Sequence, residues 1–389
     1  MRNINRDILS FLKVRASYGT NGNIAALGSA YLYDSTVSIG ASNYQMHDSE
    51  DITLASYPTY ASNPSLKWET SKQTDLGLDA RLFKDRLTFS LDYYNKDTDD
   101  LIVSVTPSYT TGQSSTYLNA GSVNNKGIEL EVGWKDVIGD FSYSISGNIA
   151  HNTNKVTYLV PTLTRINGAF ISNNHYGTAF EEGYPVWYMR GFKFDGTDSE
   201  TGSPKFVDLN DDEKIDEEDQ TKIGCAQPDF TYGITLNASW KNFDLTIFGS
   251  GSQGNDIWFG MLRSDCADRN LPSVFYTDAW KKAGDVARYP KYGDEVSTYY
   301  YRSSGCIYDG SYFRINQIQL GYSIPKNILK AVRLNNVRIY ASLDDFFTFS
   351  KYIGFDPVTC GTNSTNGLGI DVGTYPTSKK IMFGVNLSF

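Results

Sequence analysis

The sequence predicts an all-β protein, an antiparallel transmembrane β-barrel wall of about ten strands, and three observations lead to this fold class. Apolar and polar residues alternate with a period of two in many segments, as expected where one strand face meets lipid and the other meets water. Short reversals alternate with long stretches rich in Gly, Ser, Asn and Asp. Aromatic residues make up 14% of the 389-residue chain, and tyrosine suits surfaces that lie between apolar matter and water.

The strands are predicted from this alternation, taken along the chain. The clearest hairpin runs from Leu76 to Leu82, reverses at Lys84-Asp85 and continues from Leu87 to Tyr94. The same period predicts further strands at Phe11–Tyr18, Ile128–Trp134, Phe141–Ile149, Phe230–Trp240, Phe243–Ile247, Phe313–Ile324, Val337–Leu343 and Ile381–Phe389.

The connections predict the orientation of the barrel. Turns after Leu82, Trp134 and Trp240 are short and are expected on the periplasmic side, whereas the long segments 98–126, 153–229 and 251–310 are expected to be extracellular loops. The alternation assigns one set of side chains to lipid: Leu87, Phe89, Leu91, Ile128, Leu130 and Val132. It assigns the intervening set to the lumen: Ser90, Asp92, Glu129 and Glu131.

Two tryptophans, Trp134 and Trp240, stand at predicted strand ends beside short turns. Indole rings favour the headgroup level, so both are predicted membrane-interface aromatics. The alternative is that they close the core of a soluble β-sandwich or another all-β binding domain.

Several function classes have no support. A net charge of -9 with no basic cluster argues against nucleic-acid binding. The sequence has no G-x-S-x-G motif, which carries the nucleophilic serine of many hydrolases, so we expect no enzyme and no catalytic residues. Gly249 to Gly254 matches G-x-G-x-x-G, but no helix pattern follows it. Mean hydropathy is -0.38, and no apolar run is long enough for a transmembrane helix.

An acidic segment, 208–219, has the spacing of a calcium loop, with oxygen ligands at positions 1, 3, 5, 9 and 12 and a backbone carbonyl at position 7. The predicted ligands of one structural calcium ion are Asp208, Asn210, Asp212, the Lys214 carbonyl, Asp216 and Asp219. Position 6 is Glu213 rather than Gly, and position 12 is Asp rather than Glu, so weak binding is expected. The alternative is a solvated acidic loop that binds nothing.

Two further features lie in the predicted loops. Cys266 and Cys306 could pair in an oxidising compartment, although all four cysteines are widely spaced and their disulfide state is open. Tyr299, Tyr300 and Tyr301 could stack on sugar rings, but packing inside a folded loop is the favoured interpretation.

Several ordered motifs closely resemble the barrel of SusC/RagA-type TonB-dependent transporters of Bacteroidetes. Together they cover nearly the whole chain. They are Asn63–Ile102, Asn119–Trp134, Asp208–Gly224, Gly251–Trp258, Phe346–Val358 and a last strand that ends at Phe389.

The resemblance implies that residues 1–389 form the carboxy-terminal part of a larger plugged barrel, so we expect the plug domain and the signal peptide to be absent from this chain. It implies outer-membrane import of oligosaccharides or peptides with a SusD-like lipoprotein and with TonB, which contacts the missing amino-terminal part. It also implies that the barrel-assembly machinery reads the last strand through Phe383, Val385, Leu387 and Phe389. A fragment alone is not expected to transport, and a passive pore or a non-functional remnant is the alternative.

Overall fold

The structure is a computed structural model of the chain. It describes residues 7–23, 33–35, 37–45, 52–58, 60–105, 108, 110, 115–172, 175–262, 272–291, 298–329, 334–361 and 366–389. Among these residues, none of the helices has the length and hydropathy that crossing a membrane requires.

Strands dominate the chain. The first half contains β1 Leu9–Asn23, β2 Val37–Gln45, β3 Ile52–Pro58, β4 Glu69–Leu82, β5 Leu87–Val105, β6 Thr116–Ile138, β7 Phe141–Leu159, β8 Ile166–Asn167, β9 Phe170–Ser172, β10 His175–Tyr176, β11 Thr178–Phe180, β12 Tyr188–Phe192 and β13 Phe194–Thr197. The second half contains β14 Pro204–Phe206, β15 Gln220–Gly224, β16 Phe230–Trp240, β17 Phe243–Gln253, β18 Asp256–Phe259, β19 Ile307–Asp309, β20 Tyr312–Ser323, β21 Asn336–Ser350, β22 Ile370–Asp371 and β23 Lys380–Ser388. The helices are short: α1 Val274–Thr277, α2 Thr298–Tyr301 and α3 Lys326–Leu329, with 3₁₀ turns at Glu217–Asp219 and Ser304–Cys306.

Ten of these strands form one antiparallel sheet in the order β1-β4-β5-β6-β7-β16-β17-β20-β21-β23. Each wall strand therefore pairs with its neighbours along the chain, which is the up-and-down connection of a barrel wall. Strands β1 and β23 are the two edges of this sheet. The predicted fold class, an all-β antiparallel barrel wall of about ten strands, is confirmed.

The register separates the sheet into an apolar face and a polar face. One row of the apolar face takes one residue from every wall strand: Leu9, Leu82, Leu87, Trp134, Ile145, Leu236, Ile247, Ile318, Leu343 and Ile381. A row of the polar face contains Lys13, Asp79, Ser90, Glu131, Asn148, Gly233, Ser250, Arg314 and Thr348. Because alternate residues point to opposite faces, the period of two in the sequence becomes a two-sided wall.

The strands are longer than the alternation predicts. Segment 98–126, expected as a loop, is largely strand, since β5 continues to Val105 and β6 begins at Thr116. Backbone pairing between β5 and β6 continues through polar residues such as Asp97 and Asn124, because ladder hydrogen bonds do not depend on side-chain polarity. The turn expected after Trp134 is likewise misplaced, as β6 continues to Ile138.

A loop layer covers the end of the sheet opposite the tight turns, and it consists of the described residues in 160–229, 254–311 and 351–379. It has its own buried core: Ala169, Ile171, Met189, Trp258, Phe259, Phe275, Ala279, Tyr289, Tyr300, Tyr301, Cys306, Tyr308 and Ile370. Tyr300 and Tyr301 therefore pack inside a folded loop, as favoured from the sequence. Short sheets hold the layer together, including β15-β12-β11-β8 and β19-β18-β22.

Candidate functional site: the polar wall and the loop layer

The polar face carries a charged network at its first strands. Arg15 on β1 places Nε 2.9 Å from Asp79 and Nη2 2.9 Å from the Asp92 carboxylate, so one guanidinium bridges β4 and β5. Ser90 donates to Asp79 at 2.9 Å. Such a network needs water or protein around it and would be costly against lipid, so this face fits the inner side of a barrel.

A groove of about 330 Å³ lies next to this network on the polar face. Its polar lining consists of Ser90, Asp92, Glu129, Glu131, Asn148 and Thr231. Arg15 neutralises Asp92, whereas Glu129 and Glu131 are exposed. The four side chains predicted for the lumen thus share one polar, acidic surface.

A buried ion pair joins the wall to the loop layer. Arg314 on β20 donates through Nη2 to Asp356 Oδ1 at 2.5 Å, and both side chains are almost fully buried. The other Asp356 oxygen accepts the backbone N–H of Thr377 at 3.0 Å. The pattern of the sequence did not predict this pair, although a lone Arg in an otherwise uncharged strand, YFRINQIQLGYS, is a usable signal.

The predicted calcium loop begins as a tight turn around Asp208. Asp208 Oδ1 accepts the N–H of Asp211 and its Oδ2 accepts the N–H of Glu213, both at 2.8 Å. Glu213 has a φ of 64°, the left-handed conformation expected at the position where calcium loops carry Gly. Further along the loop, the side-chain oxygen of Asn210 accepts the backbone N–H of Asp212. The carboxylate of Asp212 accepts the backbone N–H of Lys214.

The end of the same loop is closed by Asp219. Its fully buried carboxylate accepts the N–H of Asp216 and of Leu209, both at 2.8 Å, and these two amides hold the pKa of the Asp219 carboxyl below its usual range. Asp216 in turn accepts the N–H of Glu218 at 2.9 Å. The loop is therefore ordered by its own backbone amides.

The calcium ion itself stays a prediction. Across the described residues, no group of three or more His, Cys, Asp or Glu side chains is arranged to hold a metal ion. Each carboxylate oxygen has a second lone pair beyond the one that accepts an amide, so these hydrogen bonds do not exclude a cation.

The two predicted interface tryptophans lie in different settings. Trp240 ends β16 and lies in a row of the apolar face beside the turns, with Phe141, Phe243 and Tyr322. Trp134 is not at the end of its strand; instead its ring lies 6.3 Å from Phe83 in the turn between β4 and β5. The position predicted for Trp134 is thus corrected, because staggered strands bring the interior of β6 level with a neighbouring turn. The membrane-interface role of both stays a prediction.

The last strand shows the alternation expected of an assembly signal. Phe383, Val385 and Leu387 project from the apolar face of β23, and Phe389 follows the strand. All four are exposed, which fits contact with lipid or with another protein. Their recognition by the barrel-assembly machinery stays a prediction.

Two other expectations concern the loops. The G-x-G-x-x-G segment ends β17 and leads into β18 with no helix, which agrees with the strand-to-loop interpretation. Cys266 lies outside the described residues, while Cys306 is a buried free thiol whose Sγ donates to the Tyr300 carbonyl at 3.5 Å.

Comparison with known proteins agrees with this architecture. Residues 7–343 match the sequence model of the family described as TonB dependent receptor-like, beta-barrel. The chain is 31% identical to TonB-dependent receptor P3 of Formosa agariphila, with 97% of this chain and 39% of that protein covered. It is 28% identical to TonB-dependent receptor SusC of Bacteroides thetaiotaomicron, with 98% of this chain and 38% of that protein covered.

A solved structure of the RagAB peptide transporter superposes with a TM-score of 0.81 at 25% identity, covering 98% of this chain and 41% of that one. The chain spans well under half the length of the relatives it matches. These relatives are receptors and transporters rather than enzymes. The chain therefore belongs to the TonB-dependent receptor β-barrel family, as a SusC/RagA-like member located in the outer membrane.

Proposed function

We propose that this chain supplies ten wall strands and an extracellular loop layer to a TonB-dependent importer of oligosaccharides or peptides. The importer works with a SusD-like surface lipoprotein and draws its energy through TonB. Within the importer, this chain contributes the carboxy-terminal portion of the barrel wall.

The observation that carries the proposal is the register of the wall. An unbroken apolar row crosses all ten strands, and the opposite, polar face carries an Arg15–Asp79–Asp92 network. A wall that is apolar outside and charged inside suits a barrel wide enough to hold a polar plug and a polar cargo. The likeness to the RagAB peptide transporter supports peptides as cargo, and oligosaccharides are proposed from the resemblance to the SusC/RagA type.

The edges of the sheet bear on how the chain works. Strands β1 and β23 end the ten-stranded sheet without pairing to each other. In a bilayer, unpaired edge amides and carbonyls cost several kcal/mol each. The proposed barrel therefore includes partner strands at both edges, and residues 1–389 alone are not proposed to transport.

Uptake by the producing bacterium tests the proposal. Deleting the segment that encodes this chain should abolish growth on one glycan or on a peptide mixture as sole carbon source, and a TonB deletion should have the same effect. Pull-down with the tagged protein should recover a surface lipoprotein encoded nearby.

The alternative is a passive pore or a non-functional remnant. Uptake that persists without TonB would establish the pore, and unchanged growth on every substrate would establish the remnant. Deleting Phe389 should lower the amount of the protein in the outer membrane, and Ser388→Ala is the matched control for a change at the same end.

A further inference from the structure

A basic cleft lies in the loop layer, away from the polar face of the wall. It has a volume of about 270 Å³ and is lined by Arg165, Asn167, His175, Tyr176, Thr178, Arg190, Glu217, Gln220 and Arg302. The lining comes from the sheet β15-β12-β11-β8, from β10 and from the turn after α2. Two segments of the loop layer, 160–229 and 254–311, therefore contribute to it, on the side of the wall opposite the tight turns.

The charge of this cleft differs from that of the whole chain. Three guanidinium groups, those of Arg165, Arg190 and Arg302, face one lining carboxylate, that of Glu217, although the chain carries a net charge of -9. The nearby Glu181 is engaged by the Tyr188 hydroxyl, which donates to it at 2.6 Å. The cleft thus holds an excess of positive charge.

Part of this charge has a structural use. Arg302 is 5% exposed, and its Nη2 donates to Glu217 Oε1 at 2.6 Å. Arg190 donates to the Gln220 side chain and to the Glu217 carbonyl. These contacts account for the positions of two of the three arginines.

The remaining hydrogen-bonding capacity is not used within the described part of the chain. The buried Nε of Arg302 has no hydrogen-bond acceptor there, and leaving such a donor unsatisfied is costly. No described residue forms an ion pair with Arg165 or accepts a hydrogen bond from it. A ligand that supplies acceptors and negative charge would satisfy Arg165, whose side chain lines the cleft.

Mutual repulsion points in the same direction. Burial, followed by the charge of Arg165, lowers the pKa of Arg190. Burial and then the charge of Arg302 also lower the pKa of His175. An anion between these groups would offset the repulsion between guanidiniums.

We propose that this cleft binds a carboxylate group of the imported ligand. Guanidinium groups match the planar geometry of a carboxylate and bind it through paired hydrogen bonds. The volume is near the lower limit of ligand pockets, so the cleft fits one charged unit rather than a whole oligomer. The carboxylate is either a peptide carboxy-terminus or a uronic acid of a glycan. As an import subsite the cleft rests on the proposed function, whereas binding can be measured without transport.

Calorimetry on the purified full-length protein in detergent tests the proposal with two matched probe pairs. The first pair is trialanine and trialanine amide, and the second is trigalacturonate and its methyl ester. We expect one acid to bind and its neutral partner to bind about tenfold more weakly or not at all. The pair that discriminates identifies the source of the carboxylate.

Three variants assign the binding to the cleft. Arg165→Gln should weaken binding of the preferred acid about tenfold and remove the preference over the neutral probe. Lys222→Gln is the matched control, since Lys222 is exposed and pairs in register with Arg190 but does not line the cleft. Glu217→Gln should strengthen binding, which general damage to the loop layer would not do.

The proposal is overturned if neither acid binds at millimolar concentration, if acids and neutral probes bind equally, or if Arg165→Gln and Lys222→Gln behave alike. Uptake that fails while acid binding survives would instead refute the import role and leave the cleft intact as a binding site.

Discussion

Trp258 in the loop layer is 0% exposed, whereas Phe383 in wall strand β23 is 82% exposed. Both are large aromatic residues in ordered segments of one chain. The loop layer buries its rings in the manner of a soluble domain, with Trp258 Nε1 donating to the Tyr301 carbonyl at 3.1 Å. The wall directs its rings outward, in the manner of a surface that meets lipid.

This difference shows that apolar side chains pack against protein in the loop layer and are directed toward lipid in the wall. In the loop layer, apolar side chains gain stability from each other and from the exclusion of water. In the wall they gain it from the bilayer, so the same kind of substitution should have different effects in the two regions. Four experiments test this contrast.

The largest effect is expected in the core of the loop layer. Trp258→Ala should lower the local stability of the layer by about 3–5 kcal/mol, because it removes a fully buried ring and leaves a cavity. Hydrogen exchange should show faster opening of β18, β19 and β22 while wall strands keep their protection. Trp240→Ala, which truncates an exposed ring of the wall, is the control. Equal effects of the two substitutions in detergent would contradict the contrast.

A similar cost is expected where the two regions meet. Asp356→Asn leaves the buried Arg314 without its counter-ion, and breaking such a pair costs about 3–5 kcal/mol. Asp99→Asn is the matched control, because Asp99 pairs with Lys72 at 2.9 Å in an exposed setting, where about 0–1 kcal/mol is expected. Urea unfolding of both variants measures the difference. A loss for Asp356→Asn no greater than that for Asp99→Asn would show that the pair does not join the regions.

The wall itself is tested by charge on its two faces. Leu130→Arg should cost about 2–4 kcal/mol in lipid vesicles, whereas Glu131→Arg on the polar face should cost much less. Urea unfolding in vesicles measures both, and the adjacent positions control for sequence context. Spin labels that report Leu130 in water and Glu131 in lipid would reverse the assignment of the faces.

The smallest effect concerns the acidic loop. If segment 208–219 binds calcium, its Kd should be about 10⁻⁴ to 10⁻³ M. Glu213→Gly should tighten binding by relieving a left-handed backbone, a gain of about 1 kcal/mol, and Asp208→Ala should abolish it. Glu200→Ala removes an exposed acid outside the loop as a control. Calorimetry that detects no calcium uptake by the purified protein would end this prediction.

The wall was predictable from the sequence because its information is local. Leu87, Phe89 and Leu91 alternate with Thr88 and Ser90, and that order alone assigns each side chain to a face. The strand extensions were not predictable, because the polar residues near Asp97 and Asn124 resemble a loop while their backbones continue the ladder.

The loop layer and its basic cleft were not predictable, because their contacts join distant segments without any period. Arg165, Arg190 and Arg302 meet in one cleft although each is isolated in the sequence. Asp356, in the loop after β21, likewise pairs with Arg314 of strand β20. The acidic loop is intermediate: its spacing was visible, and the left-handed φ of Glu213 followed from it.

One hydrogen bond in the loop layer has a consequence for the timing of secretion and assembly. Thr178 Oγ1 donates to the carbonyl of Asn366, 188 residues away, and also accepts the N–H of Ala169. Strand β18 pairs with β22 at the same place, through Trp258 and Ile370. The last extracellular loop therefore completes a core that earlier loops only begin, so we expect the layer to close only after this loop has reached the cell surface. A protease present at the cell surface while the barrel is inserted should cleave the earlier loops until the last loop arrives.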